Sequence, residues 1–146
     1  RKGIVEQMGS PSEIYYRPKN EFVADFIGEC NFLPCRVLET NERGAEAEIG
    51  GIRVGAASSS GVKAGEMGKL VLRPEAIEIG EEGVPCQVEL SCFMGSYQNY
   101  HVRVGETLCK ISDNCPVGRH IYHEGDRAFI RFRRECAHEL PFSEEA

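Results

Sequence analysis

Residues 84–94, VPCQVELSCFM, carry the period on which the fold turns. Val84, Cys86, Val88, Leu90, Cys92 and Met94 share one face, and Gln87, Glu89 and Ser91 share the other. A period of two belongs to a half-buried β-strand, because successive side chains of an extended chain point to opposite faces. Gly95-Ser96 ends the run. Alternation resumes at Tyr100, Val102 and Val104, turns at Gly105-Glu106 and continues as TLCKIS, residues 107–112. The last strand is RAFIRFRR, residues 127–134, with Ala128, Ile130 and Phe132 on one side.

The same period extends upstream. Cys35 and Val37 alternate with Arg36 and Leu38, and Ala45, Ala47 and Ile49 alternate with Glu46 and Glu48. Gly50-Gly51 turns into Ile52-Arg53-Val54, a small-residue loop follows (GAASSSGVKAGE, residues 55–66), and then come KLVLRP and AIEI. Short strands separated by glycine turns predict a mainly β protein of OB-like barrels or a sandwich. Residues 32–140 hold material for roughly eight to ten strands, more than the five or so of one OB-type barrel. Two interleaved halves, about 32–79 and 84–140, fit better. No low-complexity tract and no sequence repeat is evident.

A different period precedes the strands, in GSPSEIYYRPKNEFVADFIG, residues 9–28. Ser10-Pro11-Ser12-Glu13 is a capping box with proline at the first helical position. The helix takes in Ile14, Tyr15 and Tyr16 and stops at Arg17, because Pro18 disfavours helical angles in its predecessor. Asn20 caps a second helix whose face is Phe22, Val23, Phe26 and Ile27, closed by Gly28. Two short α-helices thus precede the β region, dividing the chain at about residue 30 into 1–30 and 31–146.

The formal net charge is −6, with 41% hydrophobic and 27% charged residues. A negative chain is a poor partner for phosphate backbones and acidic membranes. Seven cysteines, at 30, 35, 86, 92, 109, 115 and 136, include no C-x-x-C pair. They read as reduced and mostly buried small hydrophobes of a cytosolic protein.

Several chemical motifs fail on spacing. GVKAGEMGKL, residues 61–70, has Lys63 where a phosphate-binding loop needs glycine, and Leu70 where it needs Ser or Thr. His120 and His123 beside Cys115 lack a second close ligand pair, so no metal site is expected. Ser58-Ser59-Ser60 has no nucleophile-elbow frame. Arg127, Arg131, Arg133 and Arg134 with Phe129 resemble a nucleic-acid-binding strand, but the negative net charge opposes that reading. In LVLRPEAIEI, residues 70–79, proline makes a strand-to-strand bend between Arg73 and Glu75, a charged pair placed to brace the bend or meet a ligand.

Residues 3–37 resemble the junction in ATP-binding subunits of ABC importers. There a strand of the nucleotide-binding domain is followed by G-x-P-x-E-I-Y-x-x-P-x-x-x-F-V-A-x-F-I-G and then N-F-L. The matches are Gly9, Pro11, Glu13, Ile14, Tyr15, Pro18, Phe22, Val23, Ala24, Phe26, Ile27, Gly28, Asn31, Phe32 and Leu33. Arg73-Pro74-Glu75 matches the R-P-E element of the family's C-terminal regulatory region, the transport-associated OB (TOBE) domain, and FMGSYQNYHVRV, residues 93–104, resembles its F-x-G-x-x-x-x-Y-x-V segment.

The resemblance implies that residues 1–30 are the tail of a nucleotide-binding domain, with a last strand near Gly3–Gln7, and that 31–146 regulate it. The Walker, signature and switch motifs would lie upstream, with ATP and Mg. This chain would be non-catalytic, and the intact subunit would couple ATP hydrolysis to uptake of a polyamine, ferric iron, a phosphonate or a sugar. Implied partners are the nucleotide-binding domain, a second copy of the subunit, transmembrane permease subunits and a small-molecule or protein regulator, at the cytoplasmic face of the plasma membrane. A regulatory ligand would fall at Arg73, Glu75, Gly95, Ser96, Tyr97, Asn99 and Tyr100. The competing expectation is a stand-alone OB-type module for a small anion or single-stranded nucleic acid.

Overall fold

The computed structural model describes residues 10–20, 24, 28–59 and 61–141, with only the backbone of 12–14. The strand expected at Gly3–Gln7 and the helical face Phe22, Val23, Phe26 and Ile27 lie outside the described residues. A six-residue helix, α1 (Pro11–Tyr16), leads in. Eleven strands follow among the described residues: β1 (Asn31–Asn41), β2 (Gly44–Ile49), β3 (Ile52–Ala56), β4 (Ser58–Ser59), β5 (Met67–Leu72), β6 (Ile77–Gly80), β7 (Val84–Phe93), β8 (Gln98–Val104), β9 (Thr107–Asp113), β10 (Arg127–Phe132) and β11 (His138–Pro141). Single 3₁₀ turns separate β5 from β6 (Pro74–Ala76) and β10 from β11 (Arg134–Cys136).

The strands form two curled sheets, ordered β3-β2-β1-β5-β11-β4 and β9-β8-β7-β10-β6. The pairings are antiparallel except that of β11 with β4. The protein is mainly β, with sheets curled as in OB-like barrels. At each 3₁₀ turn the chain leaves one sheet and enters the other, so β6 completes the second sheet and β11 the first. A single apolar cluster fills both, from Leu33, Leu70 and Leu72 to Val88, Val102, Ile111 and Ile130.

The two sheets are copies of one plan, which reading along the sequence does not reveal. LPCRV (33–37) and VPCQV (84–88) occupy equivalent places, with Cys35 opposite Gly68 and Cys86 opposite Ala128. Each segment ends in a β-bulge, between Val37 and Glu39 and between Val88 and Leu90. Both bulge valines are held by an equivalent turn. Gly65 N–H donates to the Val37 carbonyl and Val37 N–H to the Glu66 carbonyl, each at 2.8 Å. Gly125 and Asp126 hold Val88 by the same two bonds, also at 2.8 Å. KAGEMG (63–68) is therefore the counterpart of HEGDRA (123–128), a strand-entry turn. Both glycines sit at positive φ, +91° for Gly65 and +90° for Gly125, where a Cβ is strained.

The bulge corrects one expectation. Val84, Cys86 and Val88 face the core, but the extra residue breaks the alternation. Cys92 and Met94 are exposed rather than buried with them. The cysteines are also less buried than expected: Cys35, Cys86 and Cys109 are buried, Cys30 and Cys136 half-buried, and Cys92 and Cys115 exposed, all as free thiols.

Equivalence of the two turns makes a quantitative prediction. Gly65→Ala and Gly125→Ala each destabilise the protein by about 1–2 kcal/mol in denaturant unfolding, because each forces a side chain into left-handed backbone. Gly80→Ala, with open space around the added Cβ, stays within about 0.5 kcal/mol of the parent.

Candidate functional site

The outer face of the first sheet is where the N-terminal segment lands. Leu33, Leu70 and Glu139 point into the core, so their strand neighbours Phe32, Val71, His138 and Leu140 point outward. This outward set is mostly apolar, and Phe32, Val71 and Leu140 pack with Ala24 of the N-terminal segment in a cluster of their own. Ala24 and Leu140 are fully buried there. The second sheet shows the same positions uncovered. Val71 opposite His138 becomes Arg131 opposite Glu78, an exposed ion pair at 3.0 Å. Leu140 becomes Gly80. The first half has the residues of a docking face where the second has those of a solvated one.

Arg73, at the end of β5, fastens the segment. Its side chain is 1% exposed. Its Nε and Nη2 donate to the Tyr15 carbonyl at 3.1 and 2.9 Å. Its Nη1 donates to the carbonyls of Ala24, Gly28 and Glu29 at 3.0, 2.8 and 3.1 Å. The guanidinium also lies over the Tyr15 ring, 4.3 Å from its centroid. Carbonyl dipoles replace the water lost on burial, which makes a buried cation tolerable. Tyr15 then donates its hydroxyl to Glu75 Oε2. Burial, with Glu75 beside it, pushes the Tyr15 phenol up to about 12 and keeps it a donor. The equivalent residue of the second half, Arg133, is 78% exposed and, among the described residues, pairs with Glu135 at 3.6 Å.

Asn31 and His138 add fastenings. The Asn31 amide donates to the Lys110 carbonyl at 2.8 Å and accepts from Lys110 N–H at 2.7 Å, tying β1 to β9. The buried His138 ring shares a 2.6 Å bond with Ser58 Oγ through Nδ1 and donates to the Pro18 carbonyl. Burial first and the Arg17 charge second hold this imidazole down to about 4, against the pull of the Pro18 bond. On the opposite face of β11, the fully buried Glu139 accepts from Cys35 Sγ at 3.1 Å. Burial raises the carboxyl of Glu139 and, with the Glu139 charge, the thiol of Cys35.

Arg73 and Glu75, expected together from the sequence, do meet at Tyr15. The other expected residues lie on the β7–β8 hairpin. Gly95 and Ser96 are exposed at its tip, closed by a 2.8 Å bond from Met94 N–H to the Tyr97 carbonyl. Asn99 is half-buried. Tyr100 is wholly buried, and its hydroxyl accepts from Tyr122 N–H at 3.2 Å, holding the 114–125 loop on the second half. Among the described residues no hydrogen bond or ring contact joins this hairpin to Arg73 or Glu75. Glu75 borders a cleft of about 200 Å³ with Ser112, Asp113, Asn114 and Arg119. A separate cleft of about 410 Å³ at the hairpin's root is lined by Phe93, Gln98, Val117 and Ile121.

Sequence reading set Arg134 among the strand arginines. In the structure its Nη1 meets Glu46 at 2.9 Å, and its Nη2 reaches the carbonyls of Arg43 and Ala56 at 3.3 and 3.2 Å. The same reading passed over Tyr15 as a ligand of the R-P-E element. The signal for both was the spacing of two Arg-x-Glu turns, Arg73-Pro74-Glu75 and Arg133-Arg134-Glu135, each after an apolar strand. Among the described residues, no three His, Cys, Asp or Glu side chains converge as metal ligands. None of their helices is long and apolar enough to cross a membrane.

Residues 70–140, from β5 through β11, match the model of the TOBE domain family. The chain carries a TOBE domain. Its relatives are ATP-binding subunits of ABC importers. It is 39% identical over 114 residues to the spermidine/putrescine import ATP-binding protein PotA 1 of Pseudomonas aeruginosa, covering 72% of this chain and 30% of that protein. It is 35% identical over 147 residues to an ABC transporter ATP-binding protein of Sinorhizobium fredii, covering 94% of this chain and 36% of that one. It is 34% identical over 105 residues to the Fe(3+) ions import ATP-binding protein FbpC of Rhizobium etli, covering 70% and 29%. The chain thus spans about a third of the length of the curated relatives it matches. The Arg73 clamp falls at the start of the TOBE match, and the segment it holds precedes it.

The histidine fastening is pH-dependent in a definite sense. Folded His138 stays neutral to about pH 4, while an unfolded imidazole protonates near 6.5. Between those values the unfolded chain binds more protons, so His138 lowers stability as pH falls, by up to about 3 kcal/mol at pH 4, and has no effect above 6.5. Glu139 acts in the opposite sense, since its raised carboxyl favours acid conditions. Urea unfolding of His138→Gln against the parent isolates the histidine: the two curves run parallel above pH 6.5, and the parent loses stability more steeply below it.

Proposed function

We propose that this chain is the C-terminal regulatory region of the ATP-binding subunit of an ABC-type importer, with the end of its nucleotide-binding domain attached. On this reading the chain is non-catalytic by itself. ATP and Mg belong to the nucleotide-binding domain. The intact subunit couples ATP hydrolysis to solute uptake on the cytoplasmic side of the membrane, with permease subunits as partners. The β domain contributes regulation and pairing of two copies. A regulator that favours one arrangement of the paired β domains shifts the population of the closed ATPase, by linkage.

The observation that carries the reading is the extent of the likeness to the Sinorhizobium fredii protein. N-terminal segment and β domain are matched together over 94% of this chain. The clamp gives that continuity a physical meaning, because the docking face of the first half suits this one segment. A module free to bind oligonucleotides would offer a basic, aromatic surface. Here Arg131 of β10 is paired with Glu78, and Arg53 of β3 with Glu46 and Glu39.

Sedimentation equilibrium and an oligonucleotide titration test this reading. It expects a dimer at micromolar concentration and no binding to single-stranded oligonucleotides at low or moderate salt. A monomer that binds single strands with steep salt dependence would favour the stand-alone module instead.

A further inference from the structure

We infer that Arg73 is a coupling residue, welding the segment at Tyr15, Ala24, Gly28 and Glu29 to the β domain so that the two move as one body. The inference deepens the proposed function and rests on it in one respect: a displacement of the regulatory β domain is then delivered directly to the end of the nucleotide-binding domain.

The geometry carries it in three ways. Arg73 gathers the carbonyl of Tyr15 together with those of Ala24, Gly28 and Glu29, joining the two ends of the segment at one side chain. Those carbonyls come from both ends of the segment, so one guanidinium fixes its entry and its exit. The planar fork suits this, because its N–H groups leave in several fixed directions, whereas an ammonium is a point charge. The remaining contacts reinforce the same body: Tyr15 to Glu75, the Pro18 carbonyl to His138, and a 3.2 Å ion pair from Glu29 to Lys110.

The duplicated fold supplies an internal control. Arg133 occupies the position of Arg73 in the second half. Both precede a 3₁₀ turn with near-identical backbone angles, φ −74° and ψ 147° for Arg73 and φ −80° and ψ 141° for Arg133. The 3₁₀ turn alone therefore does not require a buried arginine. Arg133 stays in solvent, paired with Glu135. Arg73 differs in what it holds.

Hydrogen exchange measured on the whole chain tests the weld. Arg73→Met should speed exchange of the amides of residues 15–29 at least tenfold and leave those of β7–β10 unchanged. Arg73→Lys should fall between Met and the parent, and Arg133→Met should change neither region. Tyr15→Ala, outside the barrel core, should also speed exchange at 24–30, which keeps the test open if Arg73→Met misfolds. Unchanged exchange at 15–29 in Arg73→Met and Tyr15→Ala would overturn the inference. In the full-length subunit, Arg73→Met should alter ATP turnover while Arg133→Met does not. A subunit that turns over ATP equally well with either substitution would refute the coupling. Absence of ATP turnover in the unsubstituted subunit would instead sink the functional reading, and the exchange result would still decide the weld.

Discussion

A buried guanidinium must replace the water it has lost, and the fold of this chain is arranged around one. Arg73 sits at the end of a core strand, where the chain leaves the first sheet. Among the described residues, its hydrogen bonds go to the carbonyls of the N-terminal segment. Remove the segment and the charge loses these partners. Remove the charge and carbonyls at both ends of the segment lose theirs. The dependence runs both ways, because truncating either partner of a buried polar contact leaves the other unsatisfied.

The duplicated architecture shows how such a dependence can be built from small changes. Apart from β4, which has no counterpart in the second sheet, both halves use the same strand order, the same bulged valine and the same glycine turn. They differ on their outer faces. Where the second half keeps an Arg131–Glu78 pair in water, the first has Val71 and His138 under the segment. Strand exchange through β6 and β11 ties the halves into one core.

Much of the fold was legible in the sequence because period two is a strong signal wherever one strand face is buried. It failed at the bulge, since Val88 and Leu90 are separated by an extra residue whose effect depends on the partner strand. The repeat is faint in sequence because the halves share little beyond Pro-Cys-x-Val at 34–37 and 85–88 and the Arg-x-Glu turns. The two turns share only glycine and an acid. Arg73, Glu75 and Asn31 stood out as elements of a family motif, but their work did not. A buried arginine facing backbone carbonyls leaves no trace in sequence, since carbonyls are present at every position. The hairpin residues Gly95, Ser96 and Tyr97 shared a motif with Tyr100, yet they are a solvent-facing turn, and Tyr100 is a core residue.

The most direct measurement compares the cost of Arg73→Met in the whole chain and in a chain beginning at residue 31. If Arg73 is buried in order to hold the segment, the substitution costs about 3 kcal/mol or more in the whole chain, because several carbonyls lose their donor at roughly 1–3 kcal/mol each. In the shortened chain, where water can reach the guanidinium, it costs close to nothing. An equal cost in both would show that Arg73 serves the barrel itself and that the segment is not what its burial is for.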